Sequence, residues 1–135
     1  MSNNLQKMVK KEKFHIEYVF DKVSKTSLWN YISAPTGLAE WFADNVSVNG
    51  NIYTFTWSKY SNEAEIIGIN ANNYIRFHWL DEEDPLTYFE FRLHKVELTG
   101  ETTLEIIDFA EDEEQEDTKS LWESQIKILK RILGV

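Results

Sequence analysis

Near the end of the chain, over residues 117–135, Trp122, Ile126, Leu129 and Leu133 recur at steps of four, three and four, with Leu121, Ile128 and Ile132 beside them. At about 100° per residue these positions merge into one broad apolar face, and Glu123, Ser124, Lys127, Lys130 and Arg131 take the other side. The spacing predicts a long amphipathic helix. Ser120 with Glu123 three residues on has the form of a capping box, with Asp117 or Thr118 as alternative starts. Gly134 is the expected terminator behind a basic last turn. A face this wide has to be received by something concave.

Upstream the period falls from 3.6 to 2. Phe14, Ile16, Tyr18 and Phe20 alternate with His15, Glu17 and Val19, the pattern of a half-buried strand. Residues 21–24 supply cap chemistry for a short helix carrying Leu28, Trp29, Tyr31 and Ile32, and Pro35 suits the first turn of a second, with Leu38, Trp41 and Phe42. Asn49-Gly50, between Val46/Val48 and Ile52/Tyr53/Phe55/Trp57, is the strongest hairpin signal. Further strands are expected at about 64–69, 74–80, 86–96 and 102–109, with turns at 59–63, 70–73, 81–85 and 98–101. Strands joined by short turns, without a βαβ rhythm, make an antiparallel meander. The expected fold is therefore α+β in the order β-α-α-β6-α, a curved antiparallel sheet wrapped around the C-terminal helix. It forms a single domain over residues 12–135, behind a flexible basic segment 1–11.

Composition sharpens this picture in three ways. At 135 residues the chain suffices for one domain and not for two ordinary ones. Five Trp, six Tyr and eight Phe require either a well-filled core or a cavity lined with rings. A net charge of −9 repels phosphate, so neither nucleic acid nor an anionic membrane is an expected partner. The acidity is concentrated at Glu111, Asp112, Glu113, Glu114, Glu116 and Asp117, while Lys7, Lys10, Lys11 and Lys13 make the N-terminus basic. The absence of cysteine excludes disulfides, thiolate zinc sites and a cysteine nucleophile. No apolar run has the length of a signal-peptide core or a membrane span, so a cytoplasmic protein is expected and the sequon Asn45-Val46-Ser47 is read as chance.

Several local phrases resemble the START-like (helix-grip) superfamily, shared with birch-pollen-allergen-like proteins and polyketide cyclases, and within it the Aha-type heat-shock chaperone ATPase activator homologues. These phrases are Leu28-Trp29-Asn30-Tyr31-Ile32-Ser33-Ala34-Pro35 with Leu38-Ala39-Glu40-Trp41-Phe42, the run from Ala64 through Ile66, Ile69 and Asn70 to Ile75, Phe77 and Trp79, and Thr103-Leu104-Glu105-Ile106-Ile107-Asp108. The chain departs from that pattern at Asp108-Phe109-Ala110, where many members carry His and then Gly-Phe. The resemblance implies a space between sheet and terminal helix that often holds a lipid, sterol, hormone or polyketide. By position it implies Trp41, Phe55, Trp57, Phe77, Trp79, Phe89, Phe91, Leu104, Ile106, Trp122 and Ile126 as inward, ligand-facing candidates. Set against that is dense packing of the same rings as core.

Few residues advertise chemistry. His15, His78 and His94 fall on separate strands in phase with polar residues, and are read as solvent-facing rather than as a metal triad. Arg76/His78 and Glu90/Arg92/His94 read as cross-strand charge pairs on a solvated face. Asp108 shares phase with Leu104 and Ile106, which would point it inward at the mouth of the grip, able to orient a polar head group or to act as acid or base. A strand already frayed, leaving Asp108 wet, is the reading the sequence favours. The acidic run 111–117 matches no calcium loop, and there is no phosphate-binding glycine fingerprint and no nucleophile elbow. The expected function is binding of a small hydrophobic or amphipathic ligand without catalysis, cofactor or metal. The alternatives are a protein-interaction module, a homodimer among its forms, with Ile107 and Phe109 at the interface, and a cyclase- or hydrolase-like enzyme using Asp108.

Overall fold

The computed structural model describes residues 10–135, so most of the expected flexible segment 1–11 lies outside the described residues. In chain order the elements are β1 (Lys11–Phe20), α1 (Lys25–Ser33), α2 (Pro35–Trp41), β2 (Asn45–Asn49), β3 (Ile52–Trp57), β4 (Tyr60–Asn70), β5 (Tyr74–Trp79), β6 (Phe89–Lys95), β7 (Thr102–Glu111) and α3 (Gln115–Leu133). The strands form one antiparallel sheet in the order β1-β7-β6-β5-β4-β3-β2. β1 and β7 pair without a break from Lys11↔Glu111 to Phe20↔Thr102, joining the two ends of the fold. The α+β helix grip is thus present, with α3 as the gripped element.

Alternation along the strands decides the two faces. Phe14 and Phe20 of β1, Tyr53 and Phe55 of β3, Ile75 and Phe77 of β5, Phe89, Phe91 and Leu93 of β6, and Leu104 and Ile106 of β7 are buried on the helix side. α3 answers with Trp122, Ile126 and Leu129. The space between is filled by rings in contact: Phe77 stacks on Phe89 at 4.9 Å, and Phe91 meets Trp122 edge-on at 5.7 Å. Burying rings of this size supplies most of the driving force for folding.

Local signals account for most boundaries. Ser24 caps α1 by accepting from the Ser27 amide at 3.1 Å, and Pro35 opens α2. Gly50 takes a positive φ in the 49–50 hairpin, and Gly134 closes α3 in the left-handed conformation. α1 and α2 cross so closely that a Cβ on Gly37 would stand 2.1 Å from the Asn30 carbonyl oxygen.

Other boundaries differ from expectation. α3 begins at Gln115 without a side-chain cap, and the Ser120/Glu123 pair lies inside it. The acidic run is the end of β7, a 3-10 turn at Asp112–Glu114 and the first turn of α3, where Glu116 and Asp117 face the positive end of the helix dipole. The helix buries a narrower stripe than its apolar residues suggest, since Leu121 is 62% exposed and Ile128 and Ile132 are also exposed. β4 starts at Tyr60 because Ser58 accepts a positive φ and makes a two-residue turn from Trp57. β6 starts only at Phe89, its expected first turn of residues being held in a loop by the Asp84 carbonyl, which accepts from Thr87.

Candidate functional site

Where the rings end, the grip opens. Between the C-terminal end of α2, the first half of α3 and the ends of β3, β4, β5 and β7 lies an open cleft of about 800 Å³. Its walls are Trp41, Phe42, Trp57, Tyr60, Trp79 and Trp122, with Leu121 and Ile128 of α3 at the lip and Asp108 among them. Pockets of this size suit a small organic ligand.

The rings are held firmly. Phe42, just past α2, stacks on Trp122 at 5.6 Å and 13°, and meets Phe55 and Trp57 edge-on at 5.0 and 5.5 Å. Its carbonyl accepts from Trp57 Nε1 at 2.7 Å and from Gln125 Nε2 at 2.9 Å, tying β3 and α3 to one point. Trp41 Nε1 donates to the Tyr31 carbonyl at 2.8 Å. Trp57 stands between Tyr60, stacked at 6.1 Å, and Trp79 at 6.3 Å. Trp79 in turn stacks on Phe89 at 4.8 Å.

Asp108 is the acid in this aromatic wall. β7 does not fray before it: pairing with β1 runs on to Glu111, opposite Lys11. The expectation of a frayed strand is therefore corrected: the ladder holds Asp108 half-buried on the helix side, at the wall of the cleft. Trp122 Nε1 donates to Oδ2 at 2.8 Å and the Phe109 amide to Oδ1 at 2.7 Å. Desolvation pushes its pKa up to about 6, against the opposing pull of those two donors and of Lys11. Near neutral pH this carboxyl can therefore either accept or donate a proton. The other carboxyl groups at the cleft are those of Glu40 and Asp44, and no lysine or arginine lines it among the described residues.

The expected site residues divide in two. Trp41, Trp57, Trp79, Asp108 and Trp122 line the cleft. Phe55, Phe77, Phe89, Phe91, Leu104, Ile106 and Ile126 stand behind it as fully enclosed core, because the rings above them leave no space along the axis of the helix. Phe42, Tyr60, Gln125, Leu121 and Ile128 line the cleft without having been singled out for it. Leu121 and Ile128 carried a signal, since both belong to the part of the helix face that nothing else covers.

On the outer face, Ile107 and Phe109 are half-buried rather than free, Phe109 packing edge-on against Tyr88 at 5.0 Å. Glu90 lies fully buried there between Arg76 at 2.6 Å and Arg92 at 2.7 Å. No helix among the described residues is long and apolar enough to cross a membrane.

Comparison with known proteins agrees with the fold. The model of the START-like superfamily domain matches residues 8–135. A Bacteroides fragilis protein with a solution NMR structure is 47% identical over 92% of each chain, with a TM-score of 0.66. The Aha1 dimer from Colwellia psychrerythraea is 16% identical, covering 88% of this chain and 93% of that one at a TM-score of 0.72. CalU16 from Micromonospora echinospora is 17% identical, covering 91% of this chain and 74% of that one at 0.71. A search of curated proteins found no match.

Proposed function

Starting from the fact that the chain belongs to the START-like superfamily, we propose that it binds a small amphipathic ligand whose apolar part lies among Trp57, Tyr60, Trp79 and Trp122. The carrying observation is the open aromatic cleft of about 800 Å³ in a grip whose interior is otherwise filled. The ligand belongs at the mouth rather than along the helix axis. Its polar end is neutral or cationic, because the charged side chains that line the cleft, Glu40, Asp44 and Asp108, are all acidic. A carboxylate or phosphate would face like charge, whereas an ammonium gains both Coulomb attraction and the faces of the rings.

Native mass spectrometry with two matched probes below their micelle concentrations, decyltrimethylammonium and decanoate, tests this. The ammonium probe is expected to bind one per chain and at least about ten times more tightly than decanoate, a difference of roughly 1.4 kcal/mol. Tyr60→Ala and Leu121→Ser, both at exposed positions on the rim, should each weaken it while leaving the melting temperature in place. Preference for decanoate, or binding indifferent to both substitutions, would defeat the proposal.

Self-association is a second reading, favoured by the exposed row Leu121, Ile128 and Ile132 on α3. The same spectra report it, as a dimer mass lost on Leu121→Ser.

A further inference from the structure

The outer face of the sheet carries a cluster that the cleft does not use. Glu105 of β7 lies directly opposite Glu17 of β1, while His15 of β1 and His94 of β6 sit diagonally on either side of it. Diagonal neighbours in a sheet are about 7–8 Å apart at the backbone, within reach of long side chains. The contacts are made: His15 Nδ1 is 2.9 Å from Glu105 Oε2, and His94 Nε2 is 2.9 Å from Glu105 Oε1. The spacing of the histidines along the sequence gave no hint of this, because convergence depends on the order in which β1, β7 and β6 pair. His78 stays apart, its Nδ1 2.8 Å from the Thr87 carbonyl.

We infer that Glu17, His94 and Glu105 form a surface binding site for a divalent transition-metal cation, with His15 as a fourth donor. Ligand atoms of the first three lie within 4.8 Å of one another. A tetrahedral or octahedral ion with ligand distances near 2.0–2.2 Å needs its donors about 3–4 Å apart, so modest side-chain rotation closes the set. Two imidazoles with two carboxylates suit zinc, nickel, cobalt or copper rather than calcium or magnesium, which prefer oxygen alone.

Charge supports the same reading. Among the described residues, neither Glu17 nor Glu105 has a lysine or arginine partner within 4.0 Å. Arg92, opposite Glu105 on β6, is engaged by Glu90 at 2.7 Å and lies over the Tyr74 ring at 4.3 Å, on the side of β5. Two carboxylates thus stand beside two imidazoles with no lysine or arginine among the described residues to balance them. Once bound, a cation would fasten the edge strand β1 to β7 and β6 from outside.

Calorimetric titration of the tag-free, chelator-treated chain with zinc chloride tests the site. One zinc per chain is expected, with no heat from magnesium chloride at the same concentration. Glu105→Gln and His94→Ala should each weaken zinc by at least about tenfold, as removal even of supporting groups does. In NMR spectra the ring protons of His15 and His94 should shift on zinc addition while those of His78 stay. Absence of saturable binding would overturn the assignment. So would full-strength binding by the His94→Ala/Glu105→Gln double variant, which would place the ion elsewhere, as on residues 111–117.

Discussion

Asp108 holds two donors at once, the Trp122 indole on one oxygen and the Phe109 amide on the other. Even so, burial dominates and lifts its pKa from 3.8 to about 6. Below about pH 4 folded and unfolded chains both carry the proton, and the full stabilising contribution is present. As pH rises toward 6 the unfolded chain ionises while the folded one resists, so this residue's contribution is lost through that window and stays lost above it. Between pH 4.5 and 7.5 the loss comes to at most about 2 kcal/mol. Urea unfolding of the wild type and Asp108→Asn at those two pH values should show it: the variant lacks this decline, so its stability relative to wild type rises by that amount at the higher pH. An unchanged difference would mean that Asp108 ionises as in water. The residue's phase was legible in the sequence, but its environment was not. What keeps it inside is ladder pairing with residues 11–14, nearly a hundred positions away.

At the scale of elements, the α1–α2 corner is the tightest joint. With the Asn30 carbonyl 2.1 Å from where a Cβ would stand, Gly37→Ala must push two helices apart. The expected cost is about 2–3 kcal/mol, in the range of core overpacking, read as a lower urea midpoint at constant slope. Substitution at Gly50, where no atom lies within 4 Å of the added Cβ, should cost only the strain of a positive φ, about 1 kcal/mol. Elements with strong periodicity or specific turn chemistry, such as β1, the Asn49-Gly50 hairpin and the Gly134 end of α3, could be read directly from the sequence. The start of α3 could not. Acidic residues read equally well as a solvated linker or as a first helical turn, and only the backbone continuing from β7 through the 3-10 turn decides between them. The turn at Ser58 was hidden for a related reason, since serine rarely takes the positive φ that makes it so short.

For the whole molecule, filling decides where a ligand can go. A core closed by Phe20, Phe55, Phe77, Phe89 and Phe91 leaves the opening beside α3 and the end of α2, so a ligand there bridges helix to sheet. A probe present at about 100 times its Kd should then stabilise the folded chain by about 2.7 kcal/mol, seen as a rise in melting temperature that grows with probe concentration. No rise with decyltrimethylammonium at saturation would show that it does not bind the folded state preferentially. The sequence carried the architecture and its ring-rich interior; it did not distinguish a hollow grip from a packed one, because the same aromatics serve both.

The cleft also gathers four of the chain's five tryptophans, leaving only Trp29 outside. The emission of this protein is consequently weighted toward a single locality, with little background from elsewhere. Trp57 and Trp79, 6.3 Å apart and inclined at 55°, are close and skewed enough to couple as an exciton pair in circular dichroism. Trp122, bonded to Asp108, should change in brightness as that carboxyl gains its proton. The molecule thus comes with its own optical reporter, and occupancy of the cleft can be followed without attaching a dye.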